Sequence, residues 1–266
     1  MRHAGRTHPG RRGGQNEDAI GWDESRRLWF VADGMGGHER GAVASAIVKQ
    51  TLLDAAMTPL AQAVSKAHQN INTVSAPSGG NMGATVVALR IAAGTGEIVW
   101  VGDSRAYLWR DDQLSAVTRD HSFLESLRDQ QQLTEAQLRG HPNRNLVTQT
   151  LGLGTPVPSV KRLPLRRGDW LLLCSDGLND ELEDAEIAAT LRNHSSPENA
   201  TDALIAAALA KGGRDNVSTI VVEYAGRQGA SSLLRFGQHL KQWLPALVGV
   251  MAAMIVAGIW LWLYGT

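Results

Sequence analysis

Four acidic pairs stand at the ends of predicted strands: Glu17-Asp18 opens one, Asp33-Gly34 ends a second, Asp176-Gly177 ends a third and Asp215-Asn216 precedes a fourth. Taken singly, an Asp-Gly or Asp-Asn pair is ordinary turn chemistry. Four of them bordering apolar strands point to a shared task, because strand ends are where a scaffold presents groups rigidly. If the carboxylates converge they repel one another and raise each other's pKa, so the cluster demands a compensating cation. Oxygen donors with neither Cys nor His beside them favour a hard ion, Mg²⁺ or Mn²⁺, over zinc. Two such ions sharing a carboxylate would activate a water lying between them.

The run Asp33-Gly34-Met35-Gly36-Gly37 lets the backbone turn tightly and brings a carbonyl close to a cation with no Cβ in the way. A phosphate-cradling loop would need Gly-x-x-x-x-Gly-Lys-Ser/Thr, which is absent, and no strand, Gly-x-Gly-x-x-Gly and helix unit with a downstream ribose-binding acid is present. Thiolate chemistry is disfavoured as well. Six residues beyond Cys174, where a cysteine phosphatase signature places an arginine, stands Asp180. Cys174 reads as a small buried strand residue. As the single cysteine, it offers no internal disulfide and points to a reducing compartment.

The elements that must position these acids follow from pattern. Alternating or continuous apolar runs predict strands at 19–22, 28–32, 85–91, 98–101, 106–109, 170–174 and 217–223, with Gly94-Thr95-Gly96 as a hairpin turn. Helical periodicity covers 41–56, 60–72, 123–128, 185–193 and 197–211. Short turns imply antiparallel pairing. The simplest layered solution is an α+β arrangement of antiparallel sheets flanked by helix pairs.

The 266 residues carry 26 Lys+Arg and 26 Asp+Glu, so no net field draws the chain to polyanions. With 43% hydrophobic residues there is ample material for a core. Residues 1–12 hold four arginines and no apolar run, unlike a secretion signal. Residues 242–266 contain no charge, and a helix from Trp243 to Tyr264 would be about 33 Å long, enough for a hydrocarbon core of roughly 30 Å. Trp243 lies at one edge of this span and Trp260, Trp262 and Tyr264 at the other, while Arg227, Arg235 and Lys241 precede it. The expected organisation is a globular domain over 1–224, a linker over 225–241 and a transmembrane anchor over 242–266. The charge asymmetry places the domain on the cytoplasmic side of the inner membrane. Gly249, Ala253 and Ala257 would permit close helix pairing, or packing against lipid equally well.

The blocks Asn16-Glu17-Asp18, Val31-Ala32-Asp33-Gly34-Met35-Gly36-Gly37-His38, Gly83-Ala84-Thr85, Val101-Gly102-Asp103-Ser104-Arg105, Thr118-Arg119-Asp120-His121-Ser122, Cys174-Ser175-Asp176-Gly177-Leu178 and Gly213-Arg214-Asp215-Asn216 occur in one order. Over roughly residues 7–223 they resemble the bacterial branch of the metal-dependent protein serine/threonine phosphatases, the protein phosphatase 2C type. The resemblance implies a four-layer αββα sandwich of two antiparallel sheets with metals at one end. It implies that Asp33 bridges two Mn²⁺ or Mg²⁺ ions, that Asp176 and Asp215 hold the first, and that Glu17 and the Gly34 carbonyl serve the second. Asp18 would support them from behind, and Asp120 with Asp176 would take a third, weaker metal. Asp103 is expected to be structural, fixed by Arg105. His141-Pro142-Asn143-Arg144-Asn145 and Leu151-Gly152-Leu153-Gly154 would close a flap over 123–139. The implied reaction is direct attack of a metal-bridging hydroxide on phosphoserine or phosphothreonine, with no covalent phosphoenzyme.

Two departures qualify the match. The arginine that clamps substrate phosphate in the family falls here at Gly13, one residue after Arg11-Arg12, so Arg12 is expected to reach the phosphate through a kink at Gly13-Gly14. Met35 also stands where some relatives carry a histidine general acid, leaving a metal-bound water or His38 for that role. The expected partners are phosphoproteins, opposite a serine/threonine kinase, with no nucleic acid. The alternatives are an inactive phosphoprotein-binding scaffold of the same fold and a metal-dependent hydrolase of small phosphate esters.

Overall fold

The computed structural model describes residues 1–37, 39–55, 58–79, 81–129 and 146–226. Met1–Gly226 forms one compact unit, and a second unit, Arg227–Thr266, lies outside the described residues. The expected anchor over 242–266 and most of the expected linker therefore fall outside them too, as do His38, the 130–139 part of the expected flap and the His141–Asn145 block. Among the described residues, no helix is long and apolar enough to cross a membrane.

Among the described residues, eleven strands build two antiparallel sheets. In chain order they are β1 (Arg2–His8), β2 (Asp18–Asp23), β3 (Leu28–Met35), β4 (Gly83–Ala84), β5 (Val86–Ala92), β6 (Thr95–Val101), β7 (Arg105–Arg110), β8 (Gln113–Ala116), β9 (Ser159–Pro164), β10 (Trp170–Cys174) and β11 (Val217–Glu223). One sheet runs β1-β11-β10-β7-β8. The other runs β2-β3-β5-β6-β9, with β4 paired to β3. The helices are α1 (Glu39–Asp54), α2 (Leu60–Ser75), α3 (Phe123–Asp129), α4 (Asp176–Asn179), α5 (Asp184–Arg192) and α6 (Pro197–Lys211).

The period-2 pattern of the strands explains the layers. Along β3, Leu28, Phe30 and Ala32 face a core completed by Ala44, Val48 and Leu52 of α1 and Val64, Ala67 and Ile71 of α2. The alternate residues Trp29 and Val31 enter a second core with Leu171 and Leu173 of β10 and Ile220 and Val222 of β11, which lies between the two sheets. On the far side, Leu172, Cys174, Val217 and Val221 pack against Ile187 and Leu191 of α5 and Ala200, Leu204 and Ala208 of α6. Three cores separate four layers, helix, sheet, sheet, helix. The central strands are buried on both faces, and burying one Val, Leu or Ile side chain contributes about 1.5–3 kcal/mol.

Helix termini are set locally. Glu183 and Glu186 form a reciprocal capping box at α5, and Ser196 Oγ accepts from the Asn199 N–H ahead of Pro197 at the first turn of α6. The register then aligns one end of the sandwich. Asp18 at the start of β2 pairs with Asp33 near the end of β3, and Cys174 at the end of β10 lies opposite both Thr219 near the start of β11 and Arg105 at the start of β7.

Candidate metal centre

Each acid reaches this end by a different route. Asp18 opens β2, Asp33 lies near the end of β3, Asp103 occupies the turn between β6 and β7, Asp176 begins α4 directly after β10, and Asp215 precedes β11. Asp18 is buried, Asp33, Asp103 and Asp176 are half-buried and Asp215 is exposed, so the group runs from the sheet interface out to solvent.

The electrostatics are those of crowded like charges. Burial pushes the Asp33 carboxyl well above the usual carboxylate range, and the charges of Asp18, Asp176 and Asp103 add to the rise. Asp176 is raised likewise by burial, then by Asp103, Asp180 and Asp215, and it is close enough to Asp33 for the two to share a hydrogen bond through a proton. Asp18 is pushed up to about 6 by burial, against the pull of hydrogen bonds from Ser218 and Ser175. Asp103 also rises to about 6, through burial and the neighbouring Asp120 charge. Such groups titrate as a set rather than singly.

Asp18 is held across the sheet interface. The Ser175 hydroxyl donates to its Oδ2 at 2.8 Å, and the same hydroxyl accepts from the Ser218 N–H at 3.0 Å. Glu17 is fixed through its backbone, its N–H donating to Asn216 Oδ1 at 2.7 Å and its carbonyl accepting from the Gly34 N–H at 3.2 Å. Its carboxylate lies against the first turn of α1 at Gly41, where any Cβ would strike Oε2. At Gly34 a Cβ would strike the Gly41 carbonyl. Glycine at 34 and 41 is therefore what lets β3, Glu17 and the start of α1 meet.

Asp103 and Asp120 exchange the places expected of them. Arg105 does fix a carboxylate, but it is Asp120: Nε donates to Oδ1 at 2.9 Å and Nη2 to Oδ2 at 2.6 Å. Asp103 instead joins Asp33 and Asp176 and raises both. Sequence reasoning assigned Arg105 to the carboxylate two residues away, whereas the antiparallel return to residue 120 presents a nearer partner. The usable signal was position: Asp103 lies in a tight turn at the end of β6, like the other acids of the cluster.

Arg12 is exposed, and the two glycines after it adopt left-handed backbone, φ 76° at Gly13 and 120° at Gly14, so the kink that the glycine pair permits is present. Cys174 is fully buried and its thiol is pushed up to about 12, mainly by desolvation, which fits an inert strand residue.

Whether this end suits a cation can be judged from its unused donors. Asp176 Oδ1 and Asp18 Oδ1 are buried and have no hydrogen-bond partner, and a buried carboxylate oxygen left without one is costly. Among the described residues, no three Asp, Glu, His or Cys side chains stand at ion-holding spacing. An all-oxygen donor set with orphaned acceptors and suppressed ionisation fits hard divalent ions that would replace the proton shared by Asp33 and Asp176.

The comparisons with known proteins agree with this geometry. The family model described as Protein phosphatase 2C matches residues 4–211. Serine/threonine protein phosphatase PstP of Mycobacterium tuberculosis is 35% identical over 240 residues, covering 84% of this chain and 45% of the relative, so the chain spans about half the length of that curated relative. Serine/threonine phosphatase stp of Listeria innocua is 34% identical over 236 residues, covering 82% of this chain and 94% of its own. A crystal structure of the catalytic domain of PstP in complex with two manganese ions superposes with a TM-score of 0.75 at 33% identity, covering 84% of this chain and 97% of that one.

Proposed function

The chain belongs to the protein phosphatase 2C family, and from that premise we propose that it is a metal-dependent protein serine/threonine phosphatase. The observation that carries the proposal is the gathering of Asp18, Asp33, Asp103, Asp176 and Asp215 at one end of the sandwich, with two buried carboxylate oxygens lacking partners. Asp33, Asp176 and Asp215, with Glu17 and the Gly34 carbonyl, would hold two Mn²⁺ or Mg²⁺ ions. Asp103, rather than Asp120, would complete a third position with Asp176, because the Arg105 fork already occupies both Asp120 oxygens. When bound, the ions supply Lewis acidity that ionises a water and offsets the charge of the phosphoryl group.

The remaining work falls to the chain. Asp18 and Ser175 fix the start of β2 against the end of β10, which sets Glu17 and Asp176 relative to each other. Arg12 would receive the phosphate dianion, as a charge-assisted donor at the rim. Met35 carries no proton for the leaving alkoxide, so water or His38 would have to supply it.

The test is a substrate panel. With Mn²⁺ present, a phosphothreonine peptide is expected to turn over at least tenfold faster than a phosphotyrosine peptide, and excess EDTA should abolish turnover. Binding of the phosphopeptide without hydrolysis would favour a scaffold. A preference for a small aryl phosphate over every peptide would favour a small-ester hydrolase.

We further propose that the uncharged stretch 242–266 tethers the domain to the inner membrane, which would raise its effective concentration toward phosphoproteins there. Its length and its bordering Trp and basic residues support this. Truncation after Lys241 is expected to move the protein from the membrane fraction to the soluble one. An unchanged distribution would reject the tether and leave the catalytic proposal standing.

A further inference from the structure

The loop that carries Arg12 and Glu17 is clasped onto the loop that carries Asp215. Asn216 spans both ends of the clasp, donating from Nδ2 to the Pro9 carbonyl at 3.1 Å and accepting at Oδ1 from the Glu17 N–H at 2.7 Å. Between these bonds the Arg11 N–H donates to the Gly213 carbonyl at 2.7 Å.

Arg214 follows, and Glu181 holds it three times. Glu181 Oε1 accepts from the Arg214 N–H and from its Nε, each at 2.9 Å, and Oε2 accepts from Nη2 at 3.0 Å. The Glu181 side chain is 2% exposed and the Arg214 side chain 50%, so a buried carboxylate backs a guanidinium at the surface. Arg12 has no hydrogen bond or ion pair of its own among the described residues. Its charge nonetheless reaches Glu181 and adds to the effect of Arg214, which holds that carboxyl below its usual range.

Arg12 and Arg214 both act on Glu181, and Asp180 also acts on Arg214. Because Arg214 already occupies the Glu181 oxygens, Arg12 is drawn toward this seat without being captured by it. A long side chain held by no hydrogen bond loses rotamer freedom when it binds, and confining it beforehand reduces what substrate binding must overcome.

We propose that Glu181 is a positioning residue for phosphate recognition: through Arg214 and the Gly213 carbonyl it sets the loop bearing Arg12 beside Asp215. This rests on Arg12 being the phosphate clamp, so the experiment separates the two ideas. Glu181→Gln keeps an oxygen for the Arg214 N–H and deletes the charge. Its KM for a phosphothreonine peptide is expected to rise about five- to tenfold with kcat within about twofold, and the change should add nothing to Arg12→Ala. A purely structural role would lower kcat and the melting temperature while leaving KM in place, and that result overturns the proposal. If Arg12→Ala raises KM but Glu181→Gln does not, positioning alone fails. If Arg12→Ala leaves KM unchanged, the clamp itself fails and the proposal with it. Should the Gln variant not fold, Glu181→Asp retains the charge at shorter reach, and an unchanged KM there also overturns it. Glu186→Gln, which removes an exposed partner of Lys211, is the control expected to leave both constants alone.

Discussion

Asp33→Asn and Asp176→Asn are each expected to lower turnover of a phosphothreonine peptide by roughly a thousandfold or more at saturating Mn²⁺, while the metal-free fold becomes no less stable. Asn matches Asp in shape, so the packing at the ends of β3 and β10 survives, but it removes a negative oxygen donor. The stability half follows from the environment. Asp33 feels Asp18, Asp176 and Asp103, and Asp176 feels Asp103, Asp180 and Asp215, all of the same sign. Removing one charge relieves that repulsion. kcat at saturating Mn²⁺ and a thermal melt in EDTA check the two halves separately. A variant that lost activity together with a melting temperature several degrees lower would mean that these carboxylates hold the fold rather than an ion.

The strands that were legible in the sequence are those buried on both faces. β10 and β11 match the expected 170–174 and 217–223 residue for residue, because Trp170-Leu171-Leu172-Leu173-Cys174 and Val217-Ser218-Thr219-Ile220-Val221-Val222 leave no other comfortable conformation. The strands the pattern did not reveal are the two-residue β4 and the strands β1, β8 and β9, and each of the last three is a sheet edge. Along β1 only Ala4 is buried, and Arg2 and Arg6 face solvent. Such a strand is specified by its register with β11, not by its own alternation. The same division runs through the site. Asp33, Asp176 and Asp215 could be picked out because they border strong strands, whereas choosing between Asp103 and Asp120 required knowing which of them Arg105 reaches across the turn.

In the absence of divalent ions, the domain is expected to lose stability as pH rises from 5 to 7.5, opposite to ordinary acid unfolding. Burial and crowding push Asp18 and Asp103 up to about 6 in the folded state and hold Asp33 and Asp176 well above the ordinary value of 3.8. Below the unfolded value both states are protonated and the cluster costs nothing. Above it the unfolded chain ionises while the folded chain keeps its protons, so each unit of pH costs stability until the folded pKa is passed. Groups with depressed values, Asp23, Glu181, Glu186 and Glu198, act in the opposite sense but below this interval, because they are largely ionised in both states above about pH 5. His68 and His121, lowered by burial, also favour the higher pH. The decisive comparison is therefore wild type against Asp176→Asn, which share every one of those opposing groups. Because Asp176 is among the raised acids, the wild type should lose more of its melting temperature than the variant across the interval. Mn²⁺ should recover that difference at pH 7.5 and much less of it at pH 5, where an ion must first displace protons from its own ligands. Equal slopes for the two proteins in EDTA would mean that the acids at this end of the sandwich do not sense one another, and no cation would then be needed to hold them.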